Sequence, residues 1–344
     1  MGRRSRFVIW GWLLLMLVPL ARAQVYSITD LGTLGGKTSF AFSVNAFGQV
    51  VGSSDNGDGH AHAFLWTKSS GMQDLGTLGG VSSKAFGINA FGQVVGWSST
   101  SDNATHAFLW TKSSGMRDLG ALNGGSSYAM GINDLGQVVG YSVDPRSGPT
   151  RAFLWTTSGG VQDLGTLGGS VSRALGINVF GQVVGWSATK GEAGHAFFWK
   201  DGGMRDLGAP DGALESQAVG INASGQVAGW SNKASHTGNA FVWMEGGGMR
   251  DLGSPESAFD TRAAGINAFG QIVGTAFGPE HGMRAFVWTK SMGSLSLNDL
   301  IPADSGWTLN VASAINNMGQ IAGYGMINGQ THAFLLTPIG SSLK

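Results

Sequence analysis

The sequence predicts an all-β chain folded as a seven-bladed β-propeller, with four antiparallel strands to a blade and the amino-terminal strand completing the last blade. Three observations predict it. Asn-x-x-Gly-Gln recurs seven times, at Asn45, Asn89, Asn133, Asn178, Asn222, Asn267 and Asn316, at separations of 44, 44, 45, 44, 45 and 49 residues. A fixed period of this length marks a repeated supersecondary unit. Each unit holds four short apolar runs separated by turn residues, and consecutive apolar positions such as Val94-Val95 and Ala107-Phe108-Leu109-Trp110 require both faces of the sheet to be covered. The third observation is an offset in the count. Seven Asp-Leu motifs (Asp30, Asp74, Asp118, Asp163, Asp206, Asp251, Asp299) accompany seven Ala-Phe motifs (Phe64, Phe108, Phe153, Phe197, Phe241, Phe286, Phe334), but the first Asp-Leu precedes the first inner strand and only residues 335–344 follow Phe334. Pairing residues 25–32 with residues 332–337 removes both unpaired ends, which argues for a ring over an open stack.

The second repeat shows the elements in order. Lys84–Asn89 is the innermost strand, and Ala90-Phe91-Gly92 a tight turn closed by a left-handed glycine. Gln93–Ser98 is the second strand and His106–Thr111 the third, after a polar loop. A turn over 112–115 leads to Met116–Gly120, the outermost strand. The glycines before Ile-Asn (Gly87, Gly131, Gly176, Gly220, Gly265) alternate with Ser43 and Ala314, also small, and are expected where strands crowd toward the axis.

The amino terminus stands apart. Arg3, Arg4 and Arg6, an apolar run from Phe7 to Leu20 and Ala21-Arg22-Ala23 make a secretory signal peptide over 1–23, cleaved to leave Gln24 first. About 14 apolar residues fall short of the ~20 a membrane-spanning helix needs. The expected product is one propeller domain over 24–344, secreted to the periplasm or the exterior, with no transmembrane anchor, and monomeric. Without cysteine it has no disulfide framework.

Composition narrows the partners. Beyond the four arginines of the leader, 17 basic residues face 21 acidic ones, a net charge of −4. A weakly acidic chain without a basic cluster lacks the field that nucleic-acid binding needs. Charged residues make up 12% of the chain, about half the usual ~25%. The 58 glycines recur at fixed places within the strand pattern, so they read as turn and close-packing positions and not as disorder.

The tripeptide His-Ala-Phe stands at His62, His106, His195 and His332, alongside D-L-G-x-L-G-G and G-I-N-x-x-G-Q-V-V-G. In this the chain resembles the HAF-repeat proteins, a family of secreted bacterial proteins, over essentially its whole mature length. The resemblance implies an extracellular or periplasmic location and no particular activity. Arg151, Asn239 and Arg284 replace the histidine in the other repeats, so no shared chemical role is read for that position.

Candidate chemistry is sparse. The Asp-Leu aspartates are expected on outermost strands as hydrogen-bonding groups. The tryptophans Trp66, Trp110, Trp155, Trp199, Trp243 and Trp288 are expected as core between blades. His60 and His62 share a strand face but lack a third ligand, and Asp55–Gly59 lacks the acidic residue that completes a calcium loop, so no metal site is assigned. No G-x-S-x-G, H-E-x-x-H or P-loop occurs, and no cofactor is expected.

The asymmetry between the two rims carries more. The Asn-x-x-Gly-Gln turns on one rim are monotonous, whereas the loops between middle strands and between blades vary. The residues opening the inner strands also vary: Phe40, Lys84, Tyr128, Arg173, Gln217, Arg262 and Val311. Of these, Lys84, Tyr128, Arg173, Gln217 and Arg262 are the candidate ligand-binding residues at a concave mouth. The function they suggest is non-enzymatic binding or scaffolding, toward a glycan, a peptide or a surface component. The alternative is a lyase or hydrolase of an extracellular polymer. It would draw an acid and a base from Asp211, Glu215, Glu256, Asp260 and Asp304, with Arg173 or Arg262 holding an anionic substrate. A third reading is a purely structural envelope protein.

Overall fold

The computed structural model describes residues 25–144, 148–210, 213–233, 238–255, 258–279 and 282–340. The signal peptide read over 1–23 lies outside the described residues. Seven four-stranded antiparallel sheets form a closed ring, a seven-bladed β-propeller. Blades 1 to 6 span residues 35–74, 79–118, 126–163, 168–206, 213–251 and 260–296. Blade 7 combines residues 308–338 with residues 26–30.

The closure is the one the motif count predicts. Tyr26–Asp30 pairs antiparallel with Gln330–Pro338, in the register Tyr26↔Pro338 through Asp30↔Phe334. Two buried side chains, Tyr26 and Leu31, anchor this strand.

Blade 2 shows why the repeat folds as it does. Its strands are Gly79–Ile88, Val94–Thr100, Thr105–Thr111 and Gly115–Asp118. The first begins five residues before the Lys84 expected from sequence, so Gly79–Ser83, read there as a linker between blades, is already strand. The same holds over Gly35–Val44 and Gly168–Ile177. A bulge after Ala85 turns the Lys84 carbonyl toward Gly96 of the second strand. A Cβ on Gly96 would lie 1.9 Å from that oxygen. Gly52, Gly140, Gly185, Gly229, Gly274 and Gly323 stand in the same relation to their own inner strands, at 1.9–2.2 Å. The Val-Val-Gly pattern therefore keeps its glycine because no side chain fits there. The Gly-Ile-Asn glycines pack less tightly, against the next blade: a Cβ on Gly176 would meet the Val219 carbonyl at 3.1 Å and the Gly220 Cα at 3.3 Å.

The core lies between blades. Val51, Ala63, Leu65 and Leu75 of blade 1 pack with Ala85, Ile88, Val94, Phe108 and Trp110 of blade 2, and similar clusters fill the neighbouring interfaces. All seven Ala-Phe phenylalanines are at most 1% exposed and the six third-strand tryptophans at most 8%. Each such side chain contributes on the order of 1.5–3 kcal/mol of burial.

A polar circuit runs through the turn rim. Each Asn Oδ1 accepts the backbone N–H groups two and four residues on, while Nδ2 donates to the Gln side chain of its own turn and to the backbone carbonyl of the next blade's Asn. The donation passes from Asn45 through Asn89, Asn133, Asn178, Asn222 and Asn267 to Asn316, which returns it to Asn45 at 2.9 Å. All seven asparagines are buried, so each uses its full hydrogen-bonding capacity.

Candidate functional site

The seven inner strands enclose an axial cavity of about 230 Å³, lined by three residues from each blade. Phe42, Phe86, Met130, Leu175, Val219, Ala264 and Ser313 form one layer of this lining, bulky over five blades and small over two. Phe40, Lys84, Tyr128, Arg173, Gln217, Arg262 and Val311 sit two positions earlier in the chain, inside the inner strands and not at their starts, between the cavity and the variable rim.

Strand register shows what these residues face. Lys84 lies opposite Trp97, Tyr128 opposite Tyr141, Arg173 opposite Trp186, Gln217 opposite Trp230 and Val311 opposite Tyr324, while Phe40 and Arg262 face Ser53 and Thr275. Directly opposed residues share a sheet face with their Cβ atoms about 5 Å apart. Contacts then pass from blade to blade. Tyr128 meets Trp97 of the preceding blade edge-on at 6.2 Å and stacks on Tyr141 of its own blade at 4.9 Å. Arg173 lies over Tyr141 of the preceding blade at 5.1 Å, and Arg262 over Trp230 of the preceding blade at 4.9 Å and Phe277 at 5.4 Å. Phe40 meets Tyr324 edge-on at 5.0 Å. Trp97, Tyr128, Tyr141, Trp186 and Trp230, all half-buried, thus form an aromatic arc with Lys84, Arg173, Gln217 and Arg262 interleaved.

The electrostatics suit uncharged or anionic partners. Burial pushes the Tyr141 phenol above its ordinary value, an effect that Arg173 opposes and Tyr128 reinforces, and burial does the same to Tyr324. Both phenols are neutral hydroxyls at neutral pH. Asp260 is buried and holds Arg262 at 3.4 Å, fixing the guanidinium against its rings.

Lys84, Tyr128, Arg173, Gln217 and Arg262 therefore all fall at one level of the ring, as the repeat spacing predicts. Their aromatic counterparts are the residues sequence reasoning missed. The signal was present, since the position after Val-x-Gly or Ile-x-Gly is Trp or Tyr in five repeats.

The other candidates resolve into structure. His62, His106, His195 and His332 donate through Nδ1 to Asp74, Asp118, Asp206 and Asp30 at 2.7–2.9 Å. Arg151 pairs with Asp163, and Asn239 with Asp251. In six of the seven repeats this position thus holds a donor that clamps the outermost strand; Arg284 of blade 6 departs from it, because Ser296 stands where the aspartate would be. Each of these aspartates also accepts the N–H of the glycine two residues on. Asp299 departs from the expected pattern. The outermost strand of blade 6 is Gly293–Ser296, Ser296 takes the place opposite Phe286, and Asp299 lies in a short 3-10 turn beyond it. Asp55–Gly59 is a hairpin tip in which Asn56 Oδ1 accepts the Asp58 and His60 N–H groups. Of the carboxylates considered for catalysis, Glu215 and Asp304 are exposed and Asp260 is engaged by Arg262, while Asp211 and Glu256 lie outside the described residues.

No protein-family model matches the chain, and no curated protein matches it. Solved structures match the fold. The β-propeller domain of the Trilobed protease from Pyrococcus furiosus aligns over 90% of this chain and 100% of its own, at 8% identity and a TM-score of 0.59. The BP39L lectin from Burkholderia pseudomallei aligns over 92% and 99%, at 10% identity and a TM-score of 0.52. TolB from Acinetobacter baumannii gives a TM-score of 0.49 at 10% identity; the match covers 90% of this chain and 65% of that longer one.

Proposed function

We propose that this protein is an exported, non-enzymatic binding propeller whose ligand is a glycan, held at the mouth between the axial cavity and the variable rim. The observation that carries this reading is the arc of half-buried aromatic faces interleaved with Lys84, Arg173, Gln217 and Arg262. Sugar rings present apolar C–H faces bordered by hydroxyls, so they call for flat aromatic surfaces flanked by planar or cationic donors. Arg173 and Arg262, already held over rings, present pre-positioned donors and add affinity for an acidic sugar. The basic, apolar and A-x-A sequence of residues 1–23 and the HAF-type repeats support export.

The test starts from glycan and peptide arrays probed with the chain from Gln24 onward, followed by calorimetry on the strongest ligand. Changing Lys84, Arg173 and Arg262 together to Ala should weaken binding at least about tenfold, a loss of 1.4 kcal/mol or more, in a chain that keeps its folded circular dichroism. Ser224→Ala on the opposite rim should bind normally. Undiminished affinity in the triple variant would move the site elsewhere.

A further inference from the structure

The turn rim, chemically monotonous in sequence, carries a surface that the binding site does not explain. The second residue after each ring asparagine stands at the tip of its turn. At six of the seven tips it is a large apolar side chain, Phe47, Phe91, Leu135, Phe180, Phe269 or Met318, each 69–76% exposed. Adjacent turns touch, because each asparagine donates to the next and the Ala90 and Ala268 N–H groups donate to the Asp134 and Asn317 side chains of the following blade. The six tips therefore form a crown about the axis, interrupted at Ser224 of blade 5 and held by the buried asparagine hydrogen bonds. At 150–250 Å² per large side chain they present roughly 800 Å² of apolar surface. That exceeds the 300–600 Å² usual for the largest patch on a monomer, and equals the ~800 Å² each partner contributes to a stable interface.

Charge on the same rim is polarised. The turns of blades 6, 1 and 2 carry Lys290, Lys68 and Lys112, whereas those of blades 3, 4 and 5 carry Asp134, Asp201 and Glu245, with Lys200 beside Asp201 and Arg205 paired to Glu245, so the second half is the weaker of the two in charge. A two-fold axis lying in the plane of the crown, across this gradient, turns one copy over and sets the basic half of each over the acidic half of the other. Such an isologous contact pairs a surface with itself. An open groove between Phe91, Gln93 and Thr111–Ser113 on the basic half gives an apolar tip of the facing copy a place to seat.

We propose that the crown is the interface through which two copies of this chain associate face to face, leaving both variable rims pointing outward. The association replaces the monomer that the sequence suggests and makes the molecule bivalent toward its ligand.

Sedimentation velocity on the chain from Gln24 onward, from about 1 to 100 μM, should show twice the monomer mass. Phe91→Ser with Phe180→Ser should raise the dimer dissociation constant at least about tenfold while the melting temperature of the monomer holds. Ser224, the natural residue at the seventh tip, shows that serine suits this turn. Two further variants test the charge register. One reverses Lys68, Lys112 and Lys290 to Glu; the other reverses Asp201 and Glu245 to Lys. Each alone should be monomeric, and the two mixed should dimerise. A folded chain that stays monomeric throughout overturns the proposal, as does a wild-type dimer whose reversed variants fail to recover on mixing. Binding to phosphatidylglycerol vesicles that is abolished by the double serine change, without dimerisation in solution, also overturns it and makes a bilayer the occupant.

Discussion

At the scale of single residues, the ring is specified by positions where an added atom has nowhere to go. Gly176 and Gly185 belong to the same blade and both look like strand glycines, yet their surroundings differ. A Cβ on Gly185 would lie 2.0 Å from the Arg173 carbonyl and 2.9 Å from the Phe197 ring, whereas one on Gly176 meets nothing closer than 3.1 Å. Gly185→Ala should therefore cost about 3 kcal/mol or more and Gly176→Ala about 1 kcal/mol, read as shifts in denaturant midpoint. Equal costs would mean that the inner-strand bulge relaxes freely. Tyrosine burial gives a pH dependence. Burial raises the Tyr26 phenol well above its ordinary value of 10.0, so the native state favours the protonated form. This contribution is fully present below pH ~10, the unfolded value, and declines as pH rises toward the folded one. Stability should fall above about pH 10, and Tyr26→Phe should flatten that fall in urea melts taken from pH 8 to about 12. An unchanged slope would place the alkaline sensitivity elsewhere.

At the scale of elements, the strand Tyr26–Asp30 joins the two ends of the chain. It covers the outer edge of Gln330–Pro338, buries Tyr26 and Leu31, and supplies Asp30 to His332. Removing residues 24–31 should expose that edge and forfeit several kcal/mol of burial, seen as aggregation or loss of cooperative unfolding. A truncated chain that stayed monomeric with its melting temperature intact would show this strand to be dispensable. Its place was legible in the sequence because the Asp-Leu and Ala-Phe motifs are offset by one strand. The hydroxyls that link blades were not. Ser83 Oγ accepts the Ala63 N–H of the preceding blade and donates to the Gly76 carbonyl, and Ser39, Ser127, Ser172, Ser216 and Thr261 accept the corresponding N–H groups. A small hydroxyl residue in a loop-like Gly-Ser stretch looks like any solvated serine until the neighbouring blade supplies its partner. Blade 7 has Leu309 instead, and there Asn298, from the 3-10 turn before the blade, donates to the Leu309 carbonyl and accepts the Leu309 N–H. The layout of the candidate residues was legible to a similar degree. Repeat position alone places Lys84, Tyr128, Arg173, Gln217 and Arg262 at one level, but their stacking on the preceding blade is set by ring curvature, which no local pattern encodes.

At the scale of the whole molecule, the ring is closed by two independent devices, and a rearranged chain separates them. One is the exchange of the amino-terminal strand into blade 7. The other is the circuit of seven asparagine hydrogen bonds together with the packed blade interfaces, which does not depend on where the chain begins. The ends lie close together, since the Ile339 N–H donates to the Val25 carbonyl, so a short Gly-rich link can join residue 340 to residue 25 in the place of the missing fourth-strand turn. New ends opened in the connection between blades 3 and 4, after Leu164, give a permuted chain in which every blade is continuous and only side-chain packing and the asparagine circuit shut the ring. It should fold to the same ring with its circular dichroism retained, because the interfaces are unchanged. Its melting temperature should fall by several degrees, because an interface between blades 3 and 4 no longer spanned by the backbone opens more readily. Adding Asn133→Ala, which removes the circuit's donor across that same interface, should then cost more in the permuted chain than in the native one, an excess measured by a double-mutant cycle. A permuted chain that melts with the native protein, and in which Asn133→Ala costs no more, would show that the interfaces alone close the ring and that the shared blade adds nothing to them.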